Sequence, residues 1–316
     1  ILGIILFGIL SVKSGLHKFV RTGITKKEMS ASLTFLLSAF VILPLLPDDF
    51  IDPWGLIQPT RIWLLFVLIA GVQFFSYIAL RFVGSQWGML LTGLLGGFVS
   101  ATATTLSLAL KVKQQPKSVN LIAGGIILAE VSSLIIQMIV ITIIIADIPI
   151  KLLFLLAIPA ITGIIIALFL TFISPSHSID DEEKVAVNVN NPISLKSTLT
   201  FALLISFGLI IIALAARYVG TSGVYITSAL GGFASQRVVT FSVSELVNSG
   251  EMLTVIAATS ILLAMTTNML AKLVIIKKAG STPLFLVSGV SFLLMLISGY
   301  IFHFWELINS FSFGSL

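Results

Sequence analysis

The sequence contains no cysteine. Disulfide frameworks, cysteine nucleophiles, thiolate metal sites and iron–sulfur clusters are therefore all excluded. Charge is almost as scarce, with Asp, Glu, Lys and Arg supplying 10% of the 316 residues, where a soluble surface needs roughly a quarter to a third. Soluble enzyme folds fall with it. The three histidines, His17, His177 and His303, lie far apart, which gives no metal-ligand spacing and no buried base for a Ser/His/Asp triad. No P-loop or dinucleotide-binding glycine pattern occurs in a strand-to-helix context. A net charge of +5, from 18 basic and 13 acidic residues, is too dispersed to form a nucleic-acid-binding domain and reads as topological bias at helix ends. No enzyme, cofactor, metal or nucleic-acid partner is expected.

What is abundant is apolar: 57% of residues are hydrophobic and mean hydropathy is +1.14. Runs of about 20 such residues match a hydrocarbon core of roughly 30 Å at 1.5 Å per residue, so the partner is the lipid bilayer. The fold class expected is all-α, a polytopic membrane protein with about 9 to 10 transmembrane helices; long unalternating runs argue against a strand barrel. A short apolar run, Ile1 to Val12, precedes a basic loop with Lys13, His17, Lys18, Arg21, Lys26 and Lys27. It reads as the end of a helix from a longer protein. Further spans are expected near 28–46, 61–83, 87–112, 119–146, 150–173, 195–219, 222–247, 252–276 and 283–305. Trp54, Trp63, Trp87 and Trp305 fall near span ends, as an interfacial belt would.

The stretch 174–194 begins SPSHSIDDEEKVAVNVNNP, too polar to fold alone, and reads as a linker. It sets the organisation: 1–60 holds the partial span, basic loop and one transmembrane hairpin, 61–173 a first membrane repeat, 174–194 the linker and 195–316 a second membrane repeat. A shift of 135 residues lays Gly88–Ile141 on Gly223–Ile276 without a gap. GMLLTGLLGGFVSATATTLSL then faces GVYITSALGGFASQRVVTFSV. Counting four spans in each unit makes the number even, which predicts parallel repeats related by an axis along the bilayer normal. By the same count Arg81, Lys151, Arg217, Lys277 and Lys278 share a cytoplasmic face, against which Lys111, Lys113 and Lys117 stand on the other.

Glycine pairs within a span weaken a helix by roughly 1 kcal/mol per Gly, and a following Ser or Thr can cap a restarted half-helix. Gly96 with Gly97, and Gly231 with Gly232, occupy matched places in the two halves. That coincidence points to a midplane site, with Ser100, Thr102, Thr104, Thr105, Ser235 and Thr240 lining an ion or solute pathway. Plain packing is the alternative: Gly93 with Gly97 is a GxxxG pair, and Ser228 with Gly232 a small-xxx-small pair. Two charges lie deep in spans, Glu130 in IILAEVSSL and Arg237 after the second glycine pair. Each alone costs several kcal/mol, so a Glu130–Arg237 pair across the halves is expected, either gating the pathway or as a structural bridge. Glu245 and Lys272 sit closer to helix ends and read as snorkelling side chains.

LLTGLLGGFVSATATTLSLA, then ALGGFASQRVVTFSVSE and TTNMLAK, resemble the C-terminal membrane region of MgtC/SapB-family proteins, known as domain of unknown function 4010. The resemblance implies an inner-membrane protein of a bacterium or archaeon, linked to MgtC-type magnesium stress, with an N-terminal MgtC-like domain preceding this region. It departs from the family pattern where acidic residues are replaced by Ser235 and Arg237, which puts an acidic cation site in doubt, whereas Lys272 matches a basic position. Two functions stay open: a transporter or channel for a small ion or solute, and a non-transporting scaffold or regulator.

Overall fold

A computed structural model describes residues 26–52, 57–82, 88–144, 149–174 and 195–313. The N-terminal partial span, most of its basic loop, most of the linker, Trp54 and Trp87 lie outside the described residues. Those described form nine α-helices and no strand: α1 Lys26–Leu37, α2 Pro59–Phe82, α3 Gly88–Lys111, α4 Val119–Ile144, α5 Ile150–Phe172, α6 Leu195–Val219, α7 Thr221–Asn248, α8 Thr254–Ala279 and α9 Thr282–Phe313. After α1 the chain continues through a π-turn at Ser38–Ile42 and a 3-10 turn at Leu43–Leu45, where the Trp63 indole donates to the Ser38 carbonyl at 3.0 Å.

Five stretches are long and apolar enough to cross a membrane: Met89–Lys111, Pro116–Ile143, Ile150–Phe172, Thr254–Ala279 and Thr282–Asn309. Large side chains such as Ile165, Phe172, Val290 and Ile308 point outward. Such a surface suits lipid and not water. The protein is a multi-pass membrane protein, centred on α4, whose Ile126, Ile127, Leu134 and Ile136 are fully enclosed.

Two helices do not run straight. α3 leaves helical geometry at Ser100 (φ −162°, ψ 105°) and α7 at Ser235 (φ −165°, ψ 107°), residues that the 135-residue shift superposes. The break is a reversal of direction. A Cβ on Gly96 would stand 2.7 Å from Thr104 Oγ1, and one on Gly231 2.8 Å from Val239 Cγ2, although residues eight apart in a straight helix are about 12 Å apart. α4 supplies an independent ruler. Gly93 faces Gly125 and Gly97 faces Ala129, so the first limb climbs in parallel with α4, yet Leu108 of the second limb also lies against Gly125. Each of α3 and α7 is a re-entrant hairpin with its tip at the serine. The limbs of α3, 12 and 11 residues by the helix bounds, reach about 16–18 Å, half a bilayer.

The expectation of parallel repeats is not borne out. Lys151 pairs with Glu306 at 2.8 Å, Phe154 contacts Phe302, Gly299 faces Pro159 and Gly163 faces Met295, so α5 and α9 are antiparallel. The ends of α3 and α8 also coincide, with Gly280 facing the Ala109 carbonyl. The four-span count took each of α3 and α7 as a single pass, whereas both turn back on themselves at the serine. Lys151 therefore does not share a face with Lys277 and Lys278; α9 separates Glu306 from the α8 terminus by about 36 Å. Lys111, Lys113 and Lys117, at the end of α3, instead join Lys277 and Lys278.

Candidate functional site at the re-entrant tips

Both tips are built alike. The extended φ/ψ of Ser100 and Ser235 is that of an N-cap residue. Ala103 N–H donates to Ser100 Oγ at 3.3 Å, and Val238 N–H to Ser235 Oγ at 3.4 Å. Each serine thus ends one limb and caps the next. The glycine pairs, expected to be the breaks, remain helical and allow close approach. Gly96 and Gly231 let the two limbs of a hairpin touch; Gly97 and Gly232 set the first limb against the backbone of Ala129 and Ala264 respectively. The packing alternative therefore holds for the glycines, and the break three residues later belongs to the serines.

A limb that stops at mid-depth strands its last carbonyls. In α7 the Gly232 carbonyl accepts from Asn268 Nδ2 of α8 at 3.0 Å. At the matching position α4 carries Ser133, whose side chain is too short, and the Gly97 carbonyl accepts instead from Arg237 Nη2 at 3.2 Å. Arg237 Nε also donates to Ser133 Oγ at 3.2 Å. Arg237 belongs to the first turn of the α7 return limb, so these bonds tie one tip to the other across the two halves.

The expected Glu130–Arg237 ion pair does not form. The carboxylate of Glu130, a residue 1% exposed, is held by Nζ of Lys272, a residue 2% exposed, while Arg237 bonds to Ser133 and Gly97 instead. The snorkelling assigned to Lys272 is likewise overturned: α8 continues seven residues beyond it, to Ala279, and Lys272 turns inward to Glu130, the only buried carboxylate among the described residues. Glu245 is engaged by Arg61 at 2.6 Å. Around the tips Thr104, Thr105, Gln137, Gln236, Thr240 and Ser242 are buried; their side chains all carry polar atoms without a protein partner. Thr102 is exposed. No group of three or more His, Asp or Glu arranged to hold a metal occurs among the described residues.

Residues 67–280, which contain both hairpins and every side chain of the tips, match the family described as "Domain of unknown function (DUF4010)". The chain belongs to the DUF4010 family. An "Uncharacterized protein" of Aquifex aeolicus (strain VF5) is 29% identical over 184 residues, 58% of this chain and 79% of that one. No solved structure matches.

In this DUF4010 chain a signal for Lys272 was present in the repeat itself. The 135-residue shift places Lys272 on Gln137, Asn268 on Ser133 and Met265 on Glu130. The spacing i, i+3, i+7 puts all three on one helix face, an inward stripe that is polar throughout in α4 and at Asn268 and Lys272 in α8. Depth counted from a span end hides this; position on the stripe reveals it.

Proposed function

We propose that this protein is a transporter or channel for a small ion or solute, built as two inverted repeats whose re-entrant tips form a site near the bilayer midplane. The observation that carries the reading is the bond from Arg237 in one tip to the Gly97 carbonyl in the other. Backbone that leaves helix at membrane depth is tolerated only where it is buried in protein or lines a hydrated cavity. Discontinuous helices meeting at a repeat interface are the usual place for solute sites in transporter folds. Antiparallel pairing of α5 with α9, and the matched breaks at Ser100 and Ser235, support inversion about an axis in the membrane plane. Ionisable groups as deep as Glu130, Lys272 and Arg237 are costly and mark pathways more often than scaffolds.

The orientation follows from the same pairing. Lys111, Lys113, Lys117, Lys277 and Lys278 lie at one end; Asp48, Asp49, Asp52, Glu245, Glu251 and Glu306 lie at the other, together with Arg61, Lys151 and Arg217. The lysine end is cytoplasmic by the positive-inside rule, in the inner membrane of a bacterium or archaeon.

The test is flux into proteoliposomes for protons, sodium, potassium, chloride and nitrate. Flux above that of empty vesicles, lost on Gln236→Leu in a variant that still folds, supports the reading. No flux of any of these by folded protein removes it and favours the scaffold or MgtC-like regulator.

A further inference from the structure

Charge at the tips does not balance. Lys272 neutralises Glu130 in direct contact, so the third deep ionisable group, Arg237, is left bonded to two neutral acceptors, a serine hydroxyl and a carbonyl. A guanidinium offers five N–H donors, and two of them have acceptors among the described residues, which leaves three for a further partner. Glu130 draws on Arg237 through space, yet one carboxylate serves two cations.

The backbone adds to the imbalance in the same direction. Return limbs start after Ser100 and after Ser235, so two helix N-termini, each carrying partial positive charge, open at the tips. Each serine oxygen takes the amide three residues on, which leaves the first two amides of each limb without an intrahelical acceptor. The carbonyl ends of the entering limbs, which would attract a cation, are already occupied at Gly97 by Arg237 and at Gly232 by Asn268. At those two carbonyls the acceptor is taken, whereas the first amides of the return limbs remain. Gln236, the first residue of the second return limb, is 3% exposed, and neither Nε2 nor Oε1 has a partner.

We infer that the tips bind a small monovalent anion, held by the free donors of Arg237, the Gln236 amide and the first-turn amides of the two return limbs. One negative charge brings the three deep side chains to neutrality. This deepens the transport reading and rests on its site, while its test needs no gradient.

The probes are chloride, nitrate and acetate, titrated into detergent-purified protein at constant ionic strength held with sodium gluconate, with the thermal midpoint as readout. A saturable rise with at least one probe is expected. It should be unchanged when sodium is replaced by potassium or choline, and Arg237→Gln should raise its half-saturating concentration by about tenfold or more. Should that variant not fold, Gln236→Ala, which keeps both bonds of Arg237, serves instead, with a several-fold rise expected. No saturable response to any probe, a response that follows the cation, or an unchanged half-saturating concentration in the variant that folds would overturn the inference. Anion binding without flux would sink the transport reading alone; cation flux without anion binding would sink only this one.

Discussion

Lys272→Met is the most informative single perturbation of the buried pair. Lys272 and Glu130 side chains are 3% and 1% exposed, so solvent cannot screen either charge once its partner is gone. Breaking such a pair by removing one member costs about 3–5 kcal/mol, because the other is stranded in low dielectric. Methionine fills the lysine stem's volume and makes little cavity, so nearly all of the loss is electrostatic. Glu130→Gln/Lys272→Met removes both charges and keeps the shape; replacing a whole buried pair by neutral groups is often near neutral. The double variant should therefore recover most of what Lys272→Met loses. Equilibrium unfolding in mixed micelles, run as a double-mutant cycle, supplies the numbers. Additive losses, or a Lys272→Met loss below about 0.5 kcal/mol, would refute the claim that the two charges depend on one another.

Other sites follow the same logic. Ser100→Ala and Ser235→Ala each remove a cap and should cost about 1 kcal/mol, seen in the same unfolding assay; no loss in either would mean that the serines do not hold the tips. Gly97→Ala places a Cβ 2.5 Å from the Ala129 carbonyl, whereas Gly289→Ala meets nothing nearer than Leu273 Cδ2 at 3.8 Å. The first should therefore destabilise by about 1–3 kcal/mol and the second by well under 1. Glu245→Gln removes a pair whose Arg61 side chain is 42% exposed and should cost no more than about 1 kcal/mol, several-fold less than Lys272→Met.

The helices and a matched interruption in α3 and α7 were legible because both rest on local pattern, hydrophobic length and paired glycines; the interruption was expected at the glycines and falls three residues on, at Ser100 and Ser235. Direction was not. A limb of 12 apolar residues followed by another of 11 has the same composition as one crossing, and only tertiary contacts, Gly96 with Thr104 and Gly125 with both limbs, distinguish them. The parity of crossings, the orientation of the repeats and the sides assigned to the lysines all inherited that ambiguity. Glu130 and Arg237 were recognisable as deep charges from depth alone, but partner choice depends on which helix faces which. α8 presents Lys272 to Glu130, and Ser133 at the position of Asn268 leaves the Gly97 carbonyl open to Arg237.

Absence of cysteine makes the central claim, that the two tips border a hydrated path, directly measurable. Single cysteines at Gln236 and Thr105, on the two return limbs, and at Ile165 and Val290, 61% and 59% exposed on the outer face, would be treated in native membranes with a charged, water-soluble thiosulfonate. Only the thiolate, which needs water to form, attacks the reagent, giving a mixed disulfide and releasing sulfinate. Gln236→Cys and Thr105→Cys should react at least about tenfold faster than the outward-facing pair; tip cysteines as inert as those facing lipid would contradict the path.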